Sequence, residues 1–432
     1  MIKTHLLLNF KIMAAKSFLV FTVVVLISAS TAISQPPIRR ENPPLTSWIL
    51  SSTKDSVTVC FTYVVPFPRI IFTKTQGTPE KFEANLAFSI DAVDSITGTN
   101  HHKFHLKKIF ADNFAQTLAP KEIVEDFMTM TLPKSTYKVT AEVRDDNQQI
   151  TYMNETVTKR FSHLNTAGIL STIFLDSLSG KVIFPVLMND IAPFPNNIRV
   201  ALLVEDTGSV PLTLSLKTKS GASIYKLDSL YPSKVKLEPS DSICVLSFSE
   251  APDSSCSLYI ARFEIDTLQE GTYDLDASLN GKSEKLDFSY LWLDKPFTLR
   301  NFALALSLLK YIASDSVYSL INSGSHKEMR EKFDAYWKSH DPTPKTAFNE
   351  LEAEFYERAD YAFEHFRTIA TNNGAATDRG KAYIVFGKPA NVKREFRSDG
   401  TYEIWYYPNL KRSLIFKEHR FGEFKLYQTE KL

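Results

Sequence analysis

The triplet Asp378-Arg379-Gly380 is the arrangement best suited to chemistry in this 432-residue chain. The Arg379 guanidinium can clamp a carboxylate or a phosphate through two parallel hydrogen bonds, with Asp378 orienting it. Alternatively, Thr377 and Asp378 bond backbone amides to fix a turn, and Gly380 supplies an unusual backbone dihedral angle. We favour the turn and keep Thr377, Asp378, Arg379 and Gly380 as a candidate binding loop.

Other residues capable of chemistry are better explained as structural. His340 and Asp341 could form an acid/base pair, but no nucleophile is spaced to join them, so Asp341 is expected to cap a turn. His101 and His105 would share one face of a strand, yet no nearby acid completes a metal site. Paired carboxylates on a helix near Glu354 could act as general acid and base, although solvated acidic helix faces are far commoner. We predict no metal, no cofactor and no catalytic residue.

Composition and motifs exclude several function classes. The formal net charge is +1, and basic residues are not interleaved with aromatic ones, so nucleic acid is not an expected partner. The sequence contains no G-x-S-x-G, H-E-x-x-H or G-x-G-x-x-G motif. It therefore lacks the signatures of a serine hydrolase, a zinc protease and a dinucleotide-binding enzyme.

The N-terminal 34 residues have the pattern of a secretory signal peptide. Lys11 and Lys16 precede the apolar run Phe18–Ile27, and small residues follow it. The run is shorter than the roughly 20 residues that a membrane-spanning helix needs. We predict cleavage near Ala32 or Ser34, contact with the membrane only through the signal peptide, and a periplasmic or secreted product.

The elements between residues 45 and 295 are predicted to be strands, because short β-branched and aromatic runs alternate with turn residues. The segment Phe127–Ala141 recurs as Phe263–Ala277, at an offset of 136 residues between Phe127 and Phe263. The alignment continues without a gap to Phe161 and Phe297. This repetition favours duplication of one β-sheet domain.

The repeat predicts two tandem all-β immunoglobulin-like sandwiches, residues 45–163 and 166–297. Each copy has a tyrosine, Tyr137 or Tyr273, placed like the tyrosine that pins a strand corner in such sandwiches.

Three cysteines follow the signal peptide. Cys244 and Cys256 flank a turn-rich segment and form a candidate disulfide in an oxidising compartment. Cys60 lies in an apolar strand and is simplest to interpret as a buried thiol.

After residue 297 the spacing of apolar residues changes from two to three and four, which indicates helices. The prolines Pro342 and Pro344 interrupt them, and β-rich runs return at Lys381–Phe386. We predict a C-terminal α+β domain, residues 298–432, with three helices followed by a small antiparallel sheet. The candidate binding loop would then enter the first strand of that sheet.

Five ordered motifs lie within this last domain. They are Tyr336–Pro344, Phe348–Glu350, Glu354–Arg358, Gly374–Pro389 and Tyr402–Tyr407. Together they resemble the bacterial GWxTD-domain family, which implies an exported protein of bacteria such as Bacteroidota with no established activity. The tryptophan in the family's name is replaced by Ala375. The motif positions expected to be structural are Trp337, Asp341, Pro342, Pro344, Gly374, Gly387 and Trp405.

Three functions are compatible with these features. The leading hypothesis is an exported non-enzymatic binding or scaffold protein of the cell envelope, whose C-terminal module contacts another envelope protein or polymer. One alternative is a cell-wall or carbohydrate hydrolase that uses Asp378 with a helix carboxylate. Another is a subunit of a secretion or motility assembly, which predicts a large apolar surface patch on a β-module.

Overall fold

The structure is a computed structural model that describes residues 45–432 with short gaps. The gaps are 78–80, 120–121, 146–149, 162–167, 188–189, 206–211, 219–220, 225, 232–233, 241–244, 264, 266, 280, 370 and 420–421. The predicted signal peptide and Cys244 lie outside the described residues, so cleavage and the Cys244–Cys256 disulfide stay predictions. The described residues divide into two compact units, 45–292 and 293–432.

The first part of the β-rich unit forms two antiparallel sheets with one short helix. Its strands are β1 (Thr46–Ser52), β2 (Ser56–Pro66), β3 (Thr73–Lys74), β4 (Phe82–Asp94), β5 (Asn100–Ala111), β6 (Ile123–Pro133), β7 (Thr136–Asp145) and β8 (Thr151–Arg160), and its helix is α1 (Phe114–Thr117). One sheet has the order β1-β2-β6, and in the other β4 lies between β5 and β7, with β8 beyond β7 and β3 beside β4. Alternate residues of β7 from Tyr137 to Val143 are fully buried, as a half-buried strand requires.

The second part of this unit forms two further sheets, of seven and five strands. Its strands are β9 (Ile169–Ser179), β10 (Val182–Pro185), β11 (Ile191–Pro193), β12 (Ile198–Glu205), β13 (Leu212–Thr218), β14 (Gly221–Ile224), β15 (Lys226–Tyr231), β16 (Val235–Pro239), β17 (Leu246–Glu250), β18 (Cys256–Phe263), β19 (Gly271–Leu279) and β20 (Lys282–Leu291). The sheet orders are β15-β18-β12-β9-β10-β17-β16 and β11-β20-β19-β13-β14. These elements bear out the prediction of a mostly β-sheet chain over this range.

The tandem immunoglobulin-like arrangement and its boundaries stay predictions. Among the described strands, no pairing joins residues 46–160 to residues 169–291. Buried side chains from both stretches nevertheless form one continuous hydrophobic cluster. Lys134 and Glu205 also form an ion pair, with 2.7 Å between Nζ and Oε1. Strand pairing therefore separates the two stretches, whereas the burial of apolar side chains joins them.

The repeated segment contains a hairpin in both copies, β7–β8 in the first and β19–β20 in the second. The preceding strands differ, because Phe127 lies within β6 whereas Phe263 is the last residue of β18. The Tyr137 hydroxyl donates to the Pro133 carbonyl at 2.9 Å, and the Tyr273 hydroxyl donates to the Gln269 carbonyl at 2.8 Å. In each copy the tyrosine therefore pins the chain four residues upstream, as the sequence comparison predicted.

The gapless extension of the repeat beyond these tyrosines is wrong. Tyr137 pairs with Lys159 across its hairpin, whereas Tyr273 pairs with Phe288. A gapless alignment would put Lys295 opposite Tyr273, but β20 has already ended before that residue. The second hairpin is tighter, so its returning strand starts earlier.

The C-terminal unit is a set of helices followed by a four-stranded antiparallel sheet. Its helices are α2 (Phe297–Arg300), α3 (Phe302–Leu309), α4 (Asp315–Ile321), α5 (His326–Ser339), α6 (Glu350–His365) and α7 (Asp378–Phe386), and its strands are β21 (Asn391–Arg397), β22 (Gly400–Tyr407), β23 (Arg412–Glu418) and β24 (Phe424–Lys431). The sheet order is sequential, so each strand joins the next through a hairpin. No helix among the described residues is both long and apolar enough to cross a bilayer.

The prediction of a strand over Lys381–Phe386 is wrong, because these residues belong to α7. The side chain of Thr377 caps the start of this helix, and Gly387, with φ of 78°, ends it. These end signals outweigh the β propensity of the aromatic and β-branched residues between them. The first strand of the sheet is instead Asn391–Arg397, and α4 is an additional helix.

The buried tyrosine corner leads to a stability prediction. Tyr137→Phe should lower the free energy of unfolding by about 1 kcal/mol, because the fully buried hydroxyl loses its bond to Pro133. Tyr273→Phe should cost less, since its hydrogen bond is exposed to water. Urea unfolding of residues 35–432, followed by tryptophan fluorescence, would measure both variants. If both variants lost the same free energy of unfolding, burial of the tyrosine hydroxyl would not determine how much its hydrogen bond contributes to stability.

Candidate functional site

The predicted binding loop is the first turn of α7 and the residue before it. The Thr377 hydroxyl accepts from the Gly380 amide at 3.0 Å and donates to the Gly374 carbonyl at 2.7 Å. Asp378 Oδ2 accepts from the Leu426 amide of β24 at 3.0 Å. Its Oδ1 lies 3.4 Å from Lys381 Nζ. Thr377 and Asp378 thus bond mainly to backbone, which is the structural alternative stated above.

Arg379 is bound to a carboxylate of its own unit. Its Nη1 lies 3.4 Å from both oxygens of Glu403, whose carboxylate also accepts from Trp405 Nε1 at 2.8 Å and from Arg394 Nη2 at 3.1 Å. Burial alone would raise the pKa of Glu403, but the bonds from Trp405, Arg379 and Arg394 outweigh it and lower the pKa. A carboxylate that is only 6% exposed is therefore held ionised.

Aromatic rings flank the Arg379 guanidinium. Its central carbon lies 4.4 Å from the ring centre of Phe424 and 5.4 Å from that of Phe366. The side chain is mostly buried, and Glu403 takes its hydrogen bonds. Arg379 is thus occupied within the fold and is not arranged to clamp a ligand.

Gly380 is needed for close packing and not for its dihedral angle, which corrects the expectation from sequence. Its φ is not positive, and neither is that of Gly374. A methyl group at position 380 would lie 2.0 Å from the Gly374 carbonyl oxygen. One at position 374 would lie 2.2 Å from the Ala362 carbonyl oxygen of α6. Gly374 thus packs its turn against the end of α6, and Gly380 packs the first turn of α7 against that same turn.

The other motif positions lie in packing and turn sites. Trp337 is buried, with its ring centre 5.4 Å from that of Phe355 on α6. Asp341 Oδ1 accepts from the Thr343 amide at 2.8 Å, so this aspartate caps the turn after α5, as predicted. Trp405 packs on Phe416 with 5.0 Å between ring centres. The remaining positions are the exposed loop residues Pro342 and Pro344 and the helix terminator Gly387.

Ala375, at the position of the family tryptophan, lies inside the unit. It is fully buried, and its carbonyl accepts from the Tyr311 hydroxyl at 3.2 Å. Burial, with a contribution from the charge of Asp378, raises the pKa of Tyr311 to about 12. A side chain at position 375 therefore packs against neighbours in the helical layer.

The structure does not bring Asp378 together with a helix carboxylate, as the hydrolase alternative requires. The oxygens of Asp378 contact Leu426 and Lys381 instead. A different carboxylate is perturbed: burial, together with the charge of Asp334, raises the pKa of Glu352 to about 7. The sequence predicts a solvated acidic face on this helix, because the burial of Glu352 depends on the packing of α5 on α6, which the local sequence does not show.

The outer face of β5 carries three large apolar side chains that are exposed. Phe104, Leu106 and Phe110 are 62%, 58% and 55% exposed. Their partners across β4 leave the rings uncovered, because Ser89 faces Phe104 and Ala87 faces Leu106. We call Phe104, Leu106 and Phe110 the β5 stripe. The sequence feature that indicates the β5 stripe is the alternation of apolar with basic residues around Phe104 and Leu106.

Histidines on β5 have acidic partners that the sequence did not reveal. His102 Nδ1 lies 2.9 Å from Asp91 Oδ1 on β4, and His105 Nε2 lies 2.9 Å from Asp126 Oδ2 on β6. Asp91 lies beside β5 because β4 and β5 pair, whereas Asp126 approaches from the edge of the other sheet. Within the described ranges, no three histidine, cysteine or carboxylate residues are grouped to hold a metal ion.

Comparison with protein families identifies the C-terminal part of the chain. Residues 273–427 match the GWxTD domain. The chain contains a GWxTD domain. The match begins within β19, so it includes the last hairpin of the β-rich unit as well as the helices and most of the final sheet. It also places the buried Gly374–Ala375 turn inside the matched region.

Comparison with solved structures gives distant matches only. The C-terminal domain of the Streptococcus pyogenes antigen I/II-family protein AspA is 9% identical, with 57% of this chain and 99% of that chain covered and a TM-score of 0.17. The Streptococcus agalactiae AgI/II polypeptide BspA C-terminal domain is 10% identical, with 57% and 99% covered and a TM-score of 0.13. These scores carry no structural argument. No curated protein matches the chain.

The glycine contact predicts a destabilising effect of a helix-favouring change. Gly380→Ala should lower the free energy of unfolding by about 3 kcal/mol, because the backbone overlap outweighs the gain in helix propensity of about 1 kcal/mol. Thermal unfolding would measure this loss. Gly271→Ala is the control, since its methyl group would sit 3.5 Å from Tyr273, and it should change stability by less than about 0.5 kcal/mol. Equal effects would contradict the packing role.

The perturbed carboxyl group predicts a pH dependence. Glu352 has a pKa of about 7 in the folded chain against an ordinary value of 4.5, so the folded state binds the proton more tightly. The free energy of unfolding should therefore fall as pH rises from about 4.5 to 7, by about 2 kcal/mol. Glu352→Gln should remove this part of the dependence in urea titrations at pH 5 and pH 8. Glu331→Gln, which changes an exposed glutamate, should keep the pH dependence. If Glu352→Gln also kept it, Glu352 would not be the group responsible.

Proposed function

We propose that this GWxTD-domain protein is an exported, non-enzymatic binding or scaffold protein of the bacterial cell envelope. The observation that carries the proposal is the β5 stripe, because large apolar side chains clustered on a protein surface mark sites of interaction. The predicted signal peptide supports export. The charged groups of the predicted loop support a non-enzymatic role, since they are bound within the fold.

The contact surface that we propose lies on the first β-rich stretch and not on the C-terminal loop. Asp378 is tied to Leu426 and Lys381, and Arg379 to Glu403. A partner that competed for these groups would leave the buried Glu403 carboxylate with fewer hydrogen bonds, which is costly. The β5 stripe can be covered without breaking an internal contact. This placement revises the leading hypothesis derived from sequence.

A subunit of a secretion or motility assembly is a second candidate function. That hypothesis predicts an apolar patch on a β-module, and the β5 stripe is such a patch. Phe114 on α1 is a further exposed phenylalanine near the end of β5, and its ring centre lies 5.8 Å from that of Phe82. Both candidate functions therefore rest on the same surface and differ in whether the partner is one protein or a multi-subunit complex.

Affinity capture from envelope extract tests the proposed surface. Residues 35–432 should enrich a partner that Phe104→Thr/Leu106→Thr loses at least tenfold, because threonine keeps strand propensity but removes the apolar contact. The matched control is Phe396→Thr, which changes another exposed phenylalanine, on β21, and should capture normally. Circular dichroism would establish that all variants fold. If Phe396→Thr alone lost capture, the partner would contact the C-terminal module, as the hypothesis from sequence states.

A further inference from the structure

We propose that β5 binds an extended, acidic segment of a partner protein, which adds to the sheet as a further strand beside β5. The inference rests on the proposed binding function and specifies how the partner is recognised. In such β-augmentation, backbone hydrogen bonds supply affinity, and alternate side chains supply specificity.

The backbone of β5 is available for pairing on one side. The strand is 12 residues long and pairs with β4 over its whole length. Among the described residues, β5 has no backbone hydrogen bond to any other strand. Every second N–H and C=O of β5 points away from β4, so a long row of donors and acceptors is left for another extended chain.

Side chains, and not a ladder of backbone bonds, link this edge to β6. Lys103 Nζ donates to the Thr129 carbonyl at 2.7 Å, and Lys107 Nζ donates to the Glu125 carbonyl at 2.9 Å. Lysine side chains are flexible, so they can swing away while the pairing of β5 with β4 and of β6 with β2 persists. A strand that adds to β5 would have to displace these two bonds and the contact of 2.9 Å between His105 Nε2 and Asp126 Oδ2, but it would leave the backbone pairing within both sheets intact.

A cavity of about 480 Å³ opens between the two edges. Its lining residues are His101, His102, Lys103, Thr129, Met130 and Thr131. The ionisable side chains of this lining are all of basic type. Side-chain carboxylates of an entering strand would meet Lys103 and the two histidines here, and hydrogen bonds to these groups are charge-assisted.

Charge also selects the occupant along the rest of the strand. β5 contains three lysines and three histidines and no acidic residue. Lys107 and Lys108 have acidic partners in the fold, Asp126 at 3.2 Å and Glu83 at 3.0 Å. Lys103 bonds only to a backbone carbonyl among the described residues. A second copy of β5 would bring like charges together across the new ladder, whereas an acidic strand would compensate Lys103.

The β5 stripe fixes which side chains the added strand should present on its outer face. Cross-strand neighbours in an antiparallel pair lie about 5 Å apart, so apolar residues of the partner would cover Phe104 and Leu106. The opposite face of the same partner strand would turn toward the basic groove. The fitting segment therefore alternates apolar and acidic residues.

Peptide binding to residues 35–432 tests this specificity. The probe is a fluorescein-labelled nine-residue peptide in which valine and glutamate alternate, with fluorescence anisotropy as the readout. We expect at least tenfold weaker binding for a valine/lysine peptide and for the valine/glutamate peptide N-methylated at alternate residues. Lys103→Glu should reverse the preference between the two charged peptides. Absence of binding by the valine/glutamate peptide, or equal binding of the N-methylated form, would overturn the proposal.

Hydrogen exchange then separates this mode from other occupants. With peptide bound, alternate amides of β5 should exchange at least tenfold more slowly, and those of β21 should not change.

A dimer in analytical ultracentrifugation that Phe104→Thr/Leu106→Thr abolishes would identify a second copy as the occupant. Binding to phosphatidylglycerol vesicles lost in that variant would identify a lipid surface. Either result would overturn the acidic-strand assignment. If the double variant loses envelope capture while the peptide does not bind, the binding function stands and only the recognition mode fails.

Discussion

The backbone contact between Gly374 and Gly380 is the constraint on which the arrangement of the C-terminal unit depends. Neither position has room for a methyl group, so the end of α6, the turn at 374–376 and the start of α7 are fixed together. This contact points α7 so that Asp378 reaches the β24 backbone and Arg379 reaches Glu403 on β22. Asp378 and Arg379, whose charges look catalytic in the sequence, thus bind α7 to the C-terminal sheet.

The elements predicted correctly from sequence are those whose signal is local and periodic. The β-rich range, the long helices α5 and α6 and the corner tyrosines all follow from spacing or from one short motif. The first strand of the last sheet was misplaced, because Lys381–Phe386 has strand propensity and its helical state is imposed by a threonine cap and by packing on Gly374. Propensity is a weak guide where end signals and tertiary contacts oppose it.

The site was harder to predict than the fold because its partners are remote in sequence. Glu403 lies 24 residues from Arg379, and the acids bound to His102 and His105 come from other strands. The candidate binding loop, residues 377–380, lies in a dense set of internal contacts that its local sequence does not reveal. The exposure of Phe104 and Leu106 depends on the small residues opposite them, which only the strand register reveals.

The same lysines that make β5 a selective edge also protect it. A long edge strand with exposed phenylalanine and leucine side chains would ordinarily pair with its own copies and aggregate. Lys103, whose described partner is only a backbone carbonyl, opposes that self-pairing, because like charges would meet across the new ladder. An acidic strand meets no such repulsion. Apolar side chains therefore supply the attraction on this edge, and the charges decide which extended chain is accepted.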